Sequence, residues 1–120
     1  QIKNKQSKYV NVIKGKILDV VIDLRKNSKT FGKVFSIVLS KKNALGLYIP
    51  AGFAHAYYSY DKENIIYYKL DNYYNPKYES GIIYKDPTIN IKWPKKKMII
   101  SKKDKKLLTI NQFKKKKIFL

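Results

Sequence analysis

The 120 residues are enough for one domain with its own core. The chain has no cysteine, which excludes disulfides, a thiolate nucleophile and cysteine-bound zinc; its one histidine, His55, argues against a transition-metal site. The net charge of +19 is almost entirely lysine, with Arg25 the one arginine. Base reading and bidentate phosphate clamping favour arginine. Lys, Ile, Asn, Tyr and Phe share AT-rich codons, so codon composition accounts for the charge and no nucleic-acid partner is expected. A basic surface still attracts an anionic ligand such as a nucleotide diphosphate. No apolar run is long enough to cross a bilayer, and no signal-peptide pattern occurs. No membrane partner is expected, and the expected location is cytoplasmic.

In chain order the pattern is mostly β. Tyr9–Ile13 and Lys16–Leu24 form two predicted strands joined at Lys14-Gly15-Lys16, a tight turn in which glycine can take positive φ. In the second strand Leu18, Val20, Ile22 and Leu24 share one face; Asp19, Val21, Asp23 and Arg25 share the other. Lys26–Lys29 is a polar loop. Val34–Leu39 and Leu45–Ile49 are further predicted strands, the latter ending at Pro50. Phe53–Tyr60 follows, with Phe53, His55, Tyr57 and Ser59 on one face. After a turn at Asp61–Asn64 comes Ile65–Leu70, in which Ile66, Tyr68 and Leu70 fall together. Asn75-Pro76 breaks the chain. Gly81–Tyr84 and Ile89–Lys92 are expected as short strands around Asp86-Pro87. Ser101 to Asp104 looks like a capped helix start that Lys105–Leu108 would continue. Lys114–Lys117 is a like-charge run, expected to be solvated and mobile. Many short strands separated by turn signals predict a sandwich or barrel. Residues 1–120 are expected to form a single domain, with 109–120 a basic tail.

Few residues can carry chemistry. His55 follows a Pro-x-Gly turn on an aromatic strand. It is either a hydrogen-bonded interior histidine or a ligand contact near a barrel mouth. Of Tyr67 and Tyr68 only one can point inward, and Tyr68 has the parity of Ile66 and Leu70. An inward phenol can act as a general acid. Asp104 has a competing role as the fourth residue of a capping box begun by Ser101. Asp23 and Arg25 are expected as an ion pair. No P-loop, dinucleotide-binding glycine pattern or metal signature occurs.

Several blocks in combination resemble the dTDP-4-dehydrorhamnose 3,5-epimerase family: SKYVNVIKGKILDVVIDLR, SKTFGK, LYIPAGFAH, YYKLDNYYNPKYESGI, DP-x-I-x-IKWP and ISKKD, which together run from Lys8 to Leu108. The resemblance implies an all-β, cupin-type jelly roll with a short C-terminal helix, acting as a homodimer without cofactor or catalytic metal. It implies epimerisation at C3 and C5 of dTDP-4-dehydro-6-deoxy-D-glucose, giving dTDP-4-dehydro-L-rhamnose for dTDP-L-rhamnose synthesis. A base removes the proton beside the 4-keto group, and an acid returns one to the opposite face. By position, Tyr68 matches the proton donor and Lys8 the lysine near the sugar 4-oxygen. His55 matches a second histidine lining the pocket, and Asp104 the aspartate that pairs with the base histidine. Tyr74 lies in the nucleotide-contacting region. The base histidine of the family sits in an RGLHYQ or RGLHFQ segment, together with an arginine that holds the diphosphate. Gln1 corresponds to the glutamine that closes that segment, so the base, the arginine and the amino-terminal strands are expected upstream of these residues. Without them little or no epimerisation is expected, because His55 is not placed to replace the base. The alternative is an inactive or remodelled sugar-nucleotide-binding relative, or a 3-epimerase or ketoisomerase of another deoxysugar pathway.

Overall fold

The computed structural model describes residues 6–72, 81–94 and 98–115. Asn75-Pro76, Tyr74 and Gln1 lie outside them, as do Lys116 and Lys117. Six strands are present among the described residues: β1 (Lys8–Lys14), β2 (Lys16–Asp23), β3 (Val34–Ser40), β4 (Gly46–Ile49), β5 (Phe53–Ser59) and β6 (Ile65–Leu70). They form two three-stranded antiparallel sheets, ordered β4-β1-β6 and β3-β2-β5. The strand boundaries agree with the hydrophobic pattern to within a residue or so.

The sheets pack face to face. Val10 and Val12 of β1, Ile17 and Val21 of β2, Leu39 and Ile49 fill the space between them, with Ile37, Leu47, Phe53 and Ile66 packed around. Alternation along each strand sends those residues to one side. The other side of β2 is also covered. Ile22 and Leu24 meet Ile82 and Ile110 from the C-terminal region, with Phe31, Ala54, Ile89 and Ile91 alongside. β2 is thus a central strand with apolar packing against both faces, its inward face also carrying the buried Asp19 and Asp23.

The chain passes from one sheet to the other at Gly15, rather than turning back within a sheet. Gly15 has φ +88°, and a Cβ there would lie 2.2 Å from Asn64 Oδ1 and 2.7 Å from the Glu63 carbonyl oxygen. Asn64 also ties the corner: its Oδ1 accepts from the Lys16 N–H at 2.9 Å and its amide donates to the Asp61 carbonyl at 2.9 Å.

Two expected strands do not form. Gly81–Tyr84 contributes only one parallel bridge, between Ile82 and Leu108. At 89–92 the cause is Asp86. Its buried carboxylate accepts from the Thr88 and Ile89 N–H groups at 2.8 and 3.0 Å, and its carbonyl from the Asn90 N–H at 2.9 Å. Those N–H groups are consumed in a turn and are lost to a ladder. The other Asp86 oxygen accepts from the Ile110 N–H at 2.6 Å, so one side chain pins the loop to the C-terminal segment.

The helix begun at Ser101 is shorter than expected. α1 spans Lys102–Lys105, with the Ser101 side chain accepting from the Asp104 N–H, and ends at Lys106. Lysines at 102, 103, 105 and 106 repel along so short a helix. Leu108 instead accepts from the Ile83 N–H at 2.7 Å. α2 (Ile110–Lys115) follows, entered through a reciprocal cap between Thr109 and Gln112. The segment from 109, expected as a basic tail, therefore begins inside the fold, with Ile110 buried.

Gly15→Ala combines a positive-φ penalty with a collision against backbone. It is expected to lower the unfolding free energy by about 2 kcal/mol or more, read from urea denaturation.

Candidate active site

Strand register brings the chemical residues into two pairs on the faces that look at each other. In one sheet β1 pairs with β6, so that Val10 is opposite Tyr68 and Lys8 opposite Leu70. Lys8 and Tyr68 are therefore diagonal neighbours, on the face that carries Val10, Val12 and Ile66 into the core. Tyr68 is 57 % exposed on that face. Tyr67 has the opposite parity and lies on the outer face with Tyr9, which stands opposite Tyr48. The parity argument for Tyr68 agrees with this register.

In the facing sheet β2 pairs with β5, Val21 opposite His55 and Asp19 opposite Tyr57. Asp19 and His55 are again diagonal neighbours. Here the side chains meet: His55 Nε2 bonds Asp19 Oδ1. Asp19 is fully buried, and the His55 side chain is 15 % exposed. The Tyr57 ring flanks His55, with centroids 6.4 Å apart. His55 is thus an interior histidine held by a carboxylate. The sequence placed Asp19 on the strand face it shares with Val21, Asp23 and Arg25 and gave it no histidine partner. The signal available was shared parity with His55 across strands whose register is set in three dimensions.

The position of β5 is set upstream by Asp23. Its carboxylate takes a bidentate ion pair from Arg25, with Nε at 3.0 Å and Nη2 at 2.9 Å, and the Arg25 N–H at 2.9 Å. The hydroxyls of Ser28 and Thr30 donate to it at 2.6 and 2.5 Å. Arg25 then lies over the Phe53 ring at 4.8 Å. At Gly52, φ +92°, a Cβ would come within 2.6 Å of Arg25 Cγ. The Gly52 carbonyl accepts from the Leu24 N–H at 3.0 Å. The Pro50-Ala51-Gly52 turn is therefore clamped to the end of β2, and His55 follows three residues later. A shallow cleft of about 210 Å³ opens there, lined by Val21, Asp23, Phe35 and Phe53 among others. A larger open depression of about 510 Å³, at the Gly15 corner, is lined by Lys16, Lys41 and Lys42 and includes none of these groups.

Asp104 is exposed on α1, where its N–H serves the cap. Its carboxylate is not part of either pair. Tyr74 lies outside the described residues.

Residues 1–112 match the sequence profile of dTDP-4-dehydrorhamnose 3,5-epimerase. The chain belongs to this family. Among relatives, the dTDP-4-dehydrorhamnose 3,5-epimerase of Methanothermobacter thermautotrophicus is 46% identical over 103 residues, covering 83% of this chain and 56% of that protein. The Escherichia coli enzyme of the same name is 39% identical over 108 residues, covering 89% of this chain and 58% of that one. The chain thus spans a little over half the length of these relatives. The solved epimerase structure from Elizabethkingia anophelis superposes with a TM-score of 0.88 at 37% identity, covering 93% of this chain and 62% of that one. A Legionella pneumophila 3,5-epimerase, solved with dTDP-4-keto-L-rhamnose, gives a TM-score of 0.88 at 37% identity over 92% of this chain and 60% of that one. The two facing sheets are those of a cupin-type jelly roll, the fold of this epimerase family.

Asp23 supplies a pH dependence. The Arg25 guanidinium, helped by the Ser28 and Thr30 hydroxyls and opposed by burial, holds its carboxyl well below the ordinary value of 3.8. A depressed folded-state pKa adds stability above the unfolded value, and that stability is lost as pH falls toward the folded one. Unfolding free energy measured by urea is expected to be flat near neutrality and to fall below about pH 4. Asp23→Asn should be less stable at pH 7 and flatter in acid.

Proposed function

We propose that this chain is part of a sugar-nucleotide 3,5-epimerase acting on dTDP-4-dehydro-6-deoxy-D-glucose. The observation that carries the reading is the inward diagonal pair of Lys8 and Tyr68, facing the Asp19–His55 pair, in a chain of this family. The proton at C3 or C5 is acidic because it is adjacent to the 4-keto group. Its removal leaves an enolate whose charge sits on O4. The Lys8 ammonium stabilises that oxygen as charge develops, which lowers the barrier where a neutral ketone gains little. The Tyr68 phenol delivers a proton to the carbon from the face opposite the base, and inversion results. His55 lines the pocket. In the family pattern the base is a histidine of a segment not among these residues, and Asp104 is its partner. Tyr74 contacts the nucleotide, and the lysine-rich surface draws in the diphosphate. The enzyme works as a homodimer in the cytoplasm, as the resemblance implies. Among the described residues no helix is long and apolar enough to cross a membrane.

The test is proton NMR of the sugar nucleotide in D2O with the full-length protein. Deuterium should enter at C3 and C5 with formation of the L-rhamno product. Tyr68→Phe should slow inversion by about 100-fold at one carbon more than at the other. Full activity at both carbons in that variant would remove Tyr68 from the role of acid. Binding without exchange would make the protein a sugar-nucleotide binder.

A further inference from the structure

We propose that Asp19 is a positioning residue of the sugar site. It holds His55 in the tautomer with its proton on Nε2, so that Nδ1 is the ring nitrogen offered to a hydroxyl of the bound sugar. The ligand part rests on the epimerase reading above; the pair itself stands on geometry.

The inward face of β2 reads Ile17, Asp19, Val21, Asp23. Ile17 and Val21 are core residues. Asp23 has Arg25, Ser28 and Thr30 around its carboxylate. Asp19 is fully enclosed, and among the described residues its one ion-pair partner is His55. Its second oxygen, Oδ2, has no hydrogen-bond partner there. A buried carboxylate with one oxygen unsatisfied costs free energy that an apolar side chain of similar volume would not. Packing between Ile17 and Val21 gives no reason for it. The contact with His55 does.

An ionised carboxylate only accepts, so the ring nitrogen against it carries the proton. In the neutral imidazole the other nitrogen, Nδ1, then holds the lone pair. Because Nε2 is turned to the sealed carboxylate, Nδ1 is the nitrogen left for a ligand at this partly exposed ring. A fixed lone pair accepts from O–H, and a sugar hydroxyl supplies it. Asp19→Asn nearly preserves shape but can donate its amide to Nε2, which favours the opposite tautomer with the proton on Nδ1. The hydroxyl would then meet a donor.

The experiment uses full-length protein carrying 15N-histidine. The His55 signals are assigned by their loss in His55→Gln. Long-range proton–nitrogen correlations near neutral pH should give the Nε2–H pattern for the wild type, and a population of Nδ1–H in Asp19→Asn. Asp19→Asn should lose about tenfold or more in kcat/KM, and Asp19→Asn/His55→Gln should be no worse than His55→Gln alone, since the two residues act as one unit. An Nδ1–H tautomer in the wild type would overturn the proposal, as would unchanged kcat/KM in Asp19→Asn or additive losses in the double variant. If Asp19→Asn does not fold, the wild-type tautomer and the activity of His55→Gln decide, full activity in the latter also overturning it. A wild type with Nε2–H that neither binds nor exchanges the sugar nucleotide overturns the epimerase reading and the sugar as ligand. An active wild type with Nδ1–H overturns the Asp19 proposal alone.

Discussion

Beyond Lys16 at its exposed end, β2 is packed on both faces and gives little of its side chains to solvent. One side packs against the facing sheet through Ile17 and Val21; the other receives Ile82 and Ile110. A polar residue buried on β2 calls for a partner inside the protein. Asp23 finds partners for both of its oxygens and Asp19 for one. Asp23 recruits a loop and Asp19 recruits a histidine from the neighbouring strand.

The Asp23 cluster fixes where β5 starts. Arg25 is tied to the carboxylate, stacked on Phe53 and pressed against Gly52, so the turn entering β5 has little freedom. The register that follows puts His55 within reach of Asp19. Stability and site geometry thus share one chain of contacts. Bidentate geometry makes arginine suited to this position in a way lysine is not, and this lysine-rich protein uses its single arginine there. On the facing sheet Lys8 and Tyr68 lie in the stretch of the β1–β6 ladder from Lys8 to Val12, before the register shifts between Val12 and Lys14, and alternation there directs both inward.

The strand set was legible because period-two alternation is local, and Ile65–Leu70 agrees to the residue. So was the strand face of Tyr68, since parity with Ile66 and Leu70 needs no partner strand. The errors lay where a side chain took over backbone groups. Ile89–Lys92 has a strand's composition, but Asp86 had already claimed the N–H groups nearby. The stretch after Asp104 has a helix's composition, yet Leu108 was needed at Ile82.

By itself the sequence determined the all-β class, the six strands that form, which residues of a strand share a face and, through its motif blocks, the family. These depend on neighbours close in the chain. Only the tertiary structure decided that the Gly15 corner switches sheets, that β2 is covered twice, and that Asp19 serves His55. Those depend on which strands lie side by side and in what register. Register is settled by burying the whole apolar set at once, so no short stretch of sequence carries it.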